Sequence, residues 1–317
     1  MAAQAYDATP VRNKRFSSAS GPPIPYGPME INLLSDARPR PRTLAVGEFD
    51  GVHLGHRAVI AGADTVLTFE PHPLAVTHPE RAPKLLTSLE VKAELVASLG
   101  VSELVVIPFD DVFALQSARD FIDHVLIGAL DAQRVSVGEN FRFGHGATGR
   151  PDLLADDPRF QTRVVTLVEA DGEIVSSTHV RALVAAGEVQ HAARFLGAPF
   201  QLRGTVVHGD ERGRTLGFPT ANLVPGDQLV CPGFGIYAAL ADGAPAAVSI
   251  GVRPTFGEGL SVLVEAHLID ADVDLYGRTL RLDFLARLRG ERRFDSVDEL
   301  VAQMQLDVER ARAICAR

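Results

Sequence analysis

A chain of 317 residues is longer than a single hydrophobic core usually serves, so two domains are expected. Its 46% hydrophobic content excludes a solvated, unstructured polymer, and a net charge of −9 leaves no electrostatic footprint for nucleic acid. Two cysteines, Cys231 and Cys315, exclude a disulfide framework, while the absence of a membrane-length apolar run or a signal-type N-terminal segment sets a cytoplasmic expectation.

Residues 1 to about 40 are rich in Ala, Ser, Pro and Arg. Gly21-Pro22-Pro23-Ile24-Pro25 and Arg38-Pro39-Arg40-Pro41 suit neither a helix interior nor a central strand, so residues 1–40 are expected to be a disordered leader. From Thr43 the pattern becomes α/β. Leu44 to Val46, Val66 to Phe69, Leu104 to Ile107, Val135 to Val137 and Val164 to Val168 are short apolar runs separated by helical stretches, the pattern of a parallel sheet covered on both faces.

The first of these runs feeds Gly47-Glu48-Phe49-Asp50-Gly51-Val52-His53-Leu54-Gly55-His56. Glycines allow close backbone approach and unusual turns, and His53 and His56, three apart at a helix start, share a face. Backbone N–H groups and imidazoles around a small space suit a nucleotide phosphate, with added positive charge if the rings are protonated. Neither the P-loop nor the dinucleotide-binding glycine pattern is present. The helix after His56 has room to run only to about Gly62 before a strand near Thr65.

Thr68-Phe69-Glu70-Pro71-His72-Pro73 ends the second run, at the sheet edge where ligands bind, and His72 is expected to face the first loop. Asn140-Phe141-Arg142-Phe143-Gly144 offers polar reach and rings able to pack against a flat ligand. Ser176-Ser177-Thr178-His179-Val180-Arg181 starts another helix; an arginine in a first turn opposes the helix dipole unless an anion offsets it. Ser117 with Asp120, Thr87 with Glu90, and Ser296 with Glu299 read as helix starts. A short helix, Val189 through Leu196, ends at Gly197-Ala198-Pro199, which sets the expected border between domains 41–198 and 199–317.

Beyond that border, short strands punctuated by glycine predict a small antiparallel barrel. Gly209, Gly213 and Gly217 open a loop that continues as Phe218-Pro219-Thr220-Ala221-Asn222. Thr220 and Asn222 are two apart, so an extended segment turns both the same way, and a hydroxyl with an amide oxygen suits Mg²⁺. Glu265, within an apolar run, is either an inward general base or a solvent-facing residue of an alternating strand.

Taken together, these motifs resemble the prokaryotic bifunctional riboflavin kinase/FMN adenylyltransferase family, also called bifunctional FAD synthetases. The resemblance runs through Gly47 to His56, Thr68 to Pro73, Gly138 to Gly144, Ser176 to Arg181, Gly213 to Asn222, Gly251-x-x-Pro254-Thr255-Phe256, and Glu265 to Asp270 with Leu275-Tyr276-Gly277. It implies a Rossmann-like nucleotidylyltransferase domain followed by a β-barrel riboflavin kinase domain. It implies phosphorylation of riboflavin to FMN with ATP and Mg²⁺, then adenylylation of FMN to FAD with release of pyrophosphate. Glu265 is then the kinase base, with Thr220 and Asn222 on Mg²⁺ and phosphates under the Gly209 to Gly217 loop. His53, His56 and Arg181 stabilise charge in adenylylation, with Gly47, Phe49, Asp50, Gly51, Gly55, His72, Asn140, Phe143, Ser176, Ser177 and Thr178 around the substrates.

Three departures from the family pattern stand out: a shorter passage from His56 to Thr68, Glu48 where many members have Asn, which adds negative charge to the phosphate loop, and an abbreviated Ala246-Ala247-Val248-Ser249 approach to Gly251 that lacks the family's frequent Asn. They keep open a riboflavin kinase with an impaired or repurposed N-terminal domain. A non-catalytic flavin-nucleotide-binding regulatory protein is a third reading. Small molecules are the expected partners, with neither nucleic acid nor membrane, and self-assembly into a homo-oligomer stays open.

Overall fold

The computed structural model describes residues 29–209, 216–254, 260–271 and 273–316. They form two compact units, one built from the chain up to Pro83 with Leu89–Val168, the other from Lys84–Ser88 and the chain from Glu169 onward.

The first unit is a six-stranded sheet in the order β1-β4-β3-β2-β5-β6, with β1 (Glu30–Leu33), β2 (Arg42–Val46), β3 (Thr65–Glu70), β4 (Glu103–Pro108), β5 (Ala132–Gly138) and β6 (Gln161–Val165). All of its pairings are parallel. Successive residues of each strand enter opposite cores: Leu44, Val46, Leu67 and Phe69 join one cluster, and Ala45, Val66, Leu104 and Val106 the other. That double burial is why these strands read as nearly unbroken apolar runs. Helices α1 (Leu54–Ile60) and α3 (Leu89–Ala97) cover one face. The other is covered by α5 (Ala118–Asp120), which runs on as a π-helix over Phe121–Ala129. Ser117 caps it, accepting from the Asp120 N–H at 3.1 Å. Two short helices, α2 (Pro73–Thr77) and α4 (Asp111–Ala114), follow β3 and β4, and α6 (Pro151–Ala155) precedes β6.

The leader expectation needs correction over part of its length. Glu30–Leu33 form an edge strand in register with Glu103–Val106, and Met29 and Ile31 are buried. A four-residue strand among prolines carries too little periodicity to stand out, and burial against β4 is what stabilises it. Residues 1–28 of the expected leader lie outside the described residues. The run near Val164 to Val168 is displaced toward the N-terminus, with β6 ending at Val165.

At the N-terminal ends of the strands, away from the ligand edge, Arg42 is 2% exposed and grips Glu103 with two hydrogen bonds, Nε to Oε2 at 2.9 Å and a terminal nitrogen to Oε1 at 3.2 Å. Its other terminal nitrogen donates to the Leu130 carbonyl at 2.9 Å, while Asn32 and Arg40 complete the carboxylate at 3.0 and 2.7 Å. Every member of this buried pair is thus satisfied, the condition under which such pairs are tolerated.

The second unit begins with a hairpin of β7 (Glu169–Ala170) and β8 (Glu173–Ile174), then α7 (Ser177–Ala186) and α8 (Val189–Leu196). The barrel follows, closed in the order β10-β13-β12-β11-β14-β9, from β9 (Phe200–Val207), β10 (Ala221–Pro225), β11 (Gly235–Ala241), β12 (Ala244–Pro254), β13 (Leu260–Leu268) and β14 (Thr279–Arg289). Leu202, Val206, Leu223, Val248, Val264 and Leu282 fill it. Helix α9 (Val297–Cys315), capped by Ser296 accepting from the Glu299 N–H at 3.2 Å, lies against the outside through Ala311 and an ion pair at 2.8 Å between half-buried Arg289 and buried Asp307.

The second compact unit takes in the chain from Glu169 onward, so α7 and α8 belong with it. The cause is packing: the Gly233 N–H donates to the Val184 carbonyl at 3.1 Å and Arg287 to the Ala186 carbonyl at 3.3 Å, which ties α7 and α8 to the barrel strands. Local punctuation at Gly197, in the left-handed region at φ 71°, ends a helix without ending a unit. No helix among the described residues is long and apolar enough to cross a membrane.

Burial alone raises the Glu103 carboxyl, but hydrogen bonds from Arg42 and Asn32, with the charges of Arg42 and Arg40, outweigh it and hold the group below its ordinary value. A depressed carboxyl stabilises the fold above its unfolded pKa and loses that contribution as pH falls through the folded one. Glu103→Gln is therefore expected to cost about 3 kcal/mol at neutral pH. Urea unfolding followed by circular dichroism should show this gap narrowing below about pH 4.

Candidate active sites

At the C-terminal end of β2 the Gly47 N–H still pairs with the Leu67 carbonyl at 3.1 Å, and the chain then turns sharply. Phe49, Gly51 and Val52 have φ of 51°, 83° and 42°, a strained run for the two non-glycine residues. Packing holds it, since Phe49 and Val52 are each 1% exposed. A Cβ on Gly47 would come within 3.1 Å of the Phe49 ring, so the glycine makes room for Phe49, whose work here is packing.

This turn delivers His53 to the cap of α1, where its Nδ1 accepts from the His56 N–H at 3.2 Å. The rings of His53 and His56 stack at 3.5 Å and 15°, and the His56 ring meets Phe49 edge-on at 5.3 Å. The structure thus brings both imidazoles together as the spacing predicts. Their charge differs from expectation: burial, then His53 and Lys92, push His56 well below its ordinary pKa, so it is neutral at pH 7. Its Nδ1 is buried without a hydrogen-bond partner.

Glu48 also departs from expectation. Burial is the largest cause raising its carboxyl to about 8, with Glu70 and Asp50 raising it further and Lys92 opposing. The extra negative charge read from the sequence is therefore mostly absent at neutral pH. Asp50 is buried, Gly51 takes the positive φ its turn requires, and Gly55 sits in the first turn of α1.

His72 caps α2, its Nδ1 accepting from the Leu74 N–H at 3.1 Å. Asn140 is exposed on the loop after β5. Phe143 is buried among Phe121 and Phe141, at centroid distances of 5.4 and 5.5 Å. Gly144, at φ 72°, would place a Cβ 2.4 Å from the Ala118 backbone, so this motif is built for close packing. Ser176 caps α7 by accepting from the His179 N–H at 3.2 Å; Ser177 and Thr178 follow, and Arg181 donates to the Thr178 hydroxyl at 3.4 Å. All four belong to the second compact unit.

In the barrel, Asn222 on β10 stands directly opposite Glu265 on β13, and Glu265 opposite Ser249 on β12. Their neighbours Leu223, Val264, Ala266, Val248 and Ile250 point into the core, so this row lies on the outer face, Asn222 buried and Glu265 and Ser249 half-buried. Of the two orientations open for Glu265, the strand presents the outward one. A Cβ on Gly209 would fall 2.1 Å from the Asn222 amide nitrogen, so only glycine lets the chain pass here. The Pro219 carbonyl accepts from His267 Nδ1 at 2.8 Å, and the Phe218 ring meets His267 at 5.5 Å and 71°. Thr220 is half-buried and Gly217 has φ 88°. Gly213 lies outside the described residues. Among the described residues no group of three His, Cys, Asp or Glu is placed to hold a metal ion.

Sequence reasoning missed Lys92 and Ser249. Ser249 was legible, because Ala246, Val248 and Ile250 alternate with it along β12. Lys92, beside the apolar stripe of α3, carries no pattern that separates it from a solvated lysine.

A parallel nucleotidyltransferase-like sheet with paired histidines at its strand ends, followed by a closed barrel with an Asn–Glu row, defines a two-module transferase. Residues 35–179 match the family model described as FAD synthetase and residues 196–315 the one described as riboflavin kinase. The chain is 40% identical to the bifunctional riboflavin kinase/FMN adenylyltransferase of Escherichia coli strain K12, over 89% of this chain and 95% of that one. It is 36% identical to that of Listeria monocytogenes, over 87% and 93%. A crystal structure described as a macrolide-efflux protein from Streptococcus pneumoniae superposes with a TM-score of 0.80 at 31% identity, covering 88% of this chain and 96% of that one. The chain belongs to the bifunctional riboflavin kinase/FMN adenylyltransferase family.

The contact of Gly209 with the Asn222 amide sets a sharp test. Gly209→Ala should lower kcat for phosphorylation of riboflavin by at least about tenfold, because displacing an aligned group by an ångström is costly. Steady-state assay of FMN formation checks this.

Proposed function

We propose that this protein converts riboflavin to FMN and FMN to FAD, using ATP in both steps at two separate sites. The observation that carries the reading is the pairing of a histidine-stacked strand-end loop in one unit with the Asn222–Glu265–Ser249 row in the other, in a chain of which 89% aligns with a bifunctional relative.

In the kinase step Glu265 accepts the proton of the ribityl 5′-hydroxyl as its oxygen bonds to the γ-phosphorus of ATP and ADP leaves. The carboxylate is half-buried and stands opposite Asn222 in the strand register. Magnesium fits this site by donor chemistry: Thr220 offers a hydroxyl and Asn222 an amide oxygen, both hard ligands. Thr220 and Asn222 are the residues that would hold it, and when bound it would supply neutralisation of charge on the transferring phosphoryl group. The Gly209 to Gly217 loop is assigned to cover the nucleotide.

In the adenylylation step a phosphate oxygen of FMN bonds to the α-phosphorus of ATP while the bond to pyrophosphate breaks. The nucleophile is already ionised, so no protein base is required. His53 and His56 stabilise the developing charge, and the neutral state of His56 makes it a hydrogen-bonding group rather than a fixed cation. Arg181, Ser176, Ser177, Thr178 and Asn140 are assigned to the phosphates on their motifs. The cytoplasm is the proposed compartment.

Two variants test the separation of sites. Glu265→Gln should reduce FMN formation by at least about a hundredfold while FAD is still formed from supplied FMN. His53→Ala with His56→Ala should do the reverse. Chromatographic separation of riboflavin, FMN and FAD reads both, and equal loss of both products in either folded variant would refute the scheme.

A further inference from the structure

Against the Gly47–His56 loop lies a buried lysine that neither transfer uses. Lys92 of α3 is 4% exposed. Its ammonium donates to the Thr68 hydroxyl at 3.3 Å, and that hydroxyl donates to the backbone carbonyl of Glu48 at 3.1 Å. Among the described residues Thr68 is the one hydrogen-bond partner of Lys92, and no carboxylate forms a salt bridge with it. Glu48 Oε1 and His56 Nδ1 are both buried without hydrogen-bond partners.

A buried ammonium with one neutral partner is costly, and such a group is retained where an anion completes it. The groups that act on Glu48 are Lys92 from α3, Glu70 from the end of β3 and Asp50 from its own loop; those that act on His56 are His53 and Lys92. With the Glu48 carboxyl pushed up to about 8 by burial first, and His56 pushed down by burial first, neither adds charge at neutral pH. Lys92 then presents its charge to the loop without opposition from Glu48, leaving Glu70 and Asp50 as the other carboxylates that act there. Above that range Glu48 ionises beside it and cancels it, at a place where low dielectric makes each charge reach further.

We propose that Lys92 is a positioning residue for adenylylation, its buried charge drawing the ATP triphosphate onto the Gly47–Gly51 turn, and that Glu48 governs this attraction by competing for the same ammonium. The proposal rests on the reading of this loop as the ATP site of FAD formation. The carboxyl contributes nothing while neutral and opposes the triphosphate when ionised. By linkage, triphosphate binding favours the protonated carboxyl and takes up a proton as the pH approaches 8.

The test is steady-state FAD formation from supplied FMN and ATP between about pH 6.5 and 9.5. For the wild type, kcat/KM for ATP should fall about tenfold between pH 7 and 9, as expected for a free-enzyme group titrating near 8, while kcat at saturating ATP changes less than about twofold. Glu48→Gln should abolish that fall. Lys92→Met should raise KM for ATP at least about tenfold at pH 7, with partial rescue by Lys92→Arg. A fall in Glu48→Gln equal to the wild type, or an unchanged KM in Lys92→Met, would overturn the proposal alone. A wild type that forms no FAD at any pH would overturn the reading of the loop and the proposal with it. Should Glu48→Gln fail to fold, infrared titration of the wild type decides. A carboxylic-acid carbonyl band lost with a midpoint near pH 8 is expected, and its absence at pH 7 overturns the proposal.

Discussion

The packing of the Phe49 ring into the space left by Gly47 is the contact on which the first active loop depends. It holds Phe49 and Val52 in backbone conformations that neither residue favours, and so turns the chain tightly enough to set His53 at the cap of α1. From there the stacking of His53 on His56 needs only a helical turn. The strain is balanced by burial: both residues are sealed in the same core as Val59, Ile60 and the α3 residues Ala93 and Val96. A parallel sheet buried on both faces gives that core its rigidity, and the Arg42–Glu103 pair clamps the opposite end of the strands.

The barrel reaches a comparable result by another route. β12 and β13 alternate residue by residue, so Val248 and Val264 fill the interior with Leu223 while Asn222, Glu265 and Ser249 form a polar row outside. Closure leaves no free edge and fixes the register of that row. Placement of α7 and α8 with this unit means that the serine-threonine-arginine motif is supported by barrel strands, through the Gly233–Val184 and Arg287–Ala186 bonds.

Burial also decides the charge of the first site. Read as letters, Glu48 is an anion and His56 a candidate cation; inside the fold the first is pushed toward neutrality and the second held neutral. Lys92 is buried beside this loop, although in the sequence it resembles any helix-surface lysine. Phe143 and Phe49 make the same point for aromatic rings, since both sit in motifs that suggest ligand contact and both are committed to the core.

The alternation of apolar strands with helices, the glycine-punctuated second half and the spacing of the two histidines were readable from the chain, because periodicity and local turn chemistry depend on near neighbours. Helix ends were equally legible where Ser117, Ser296 and Gly197 act within one turn. By itself, then, the sequence determined the two architectures and the residue types at each site. Tertiary structure alone decided the rest: the edge strand at Glu30–Leu33, the allegiance of α7 and α8, the outward face of Glu265 and the charge states of Glu48 and His56. Each of these depends on contacts between residues far apart in the chain, and on the removal of water that only complete packing achieves.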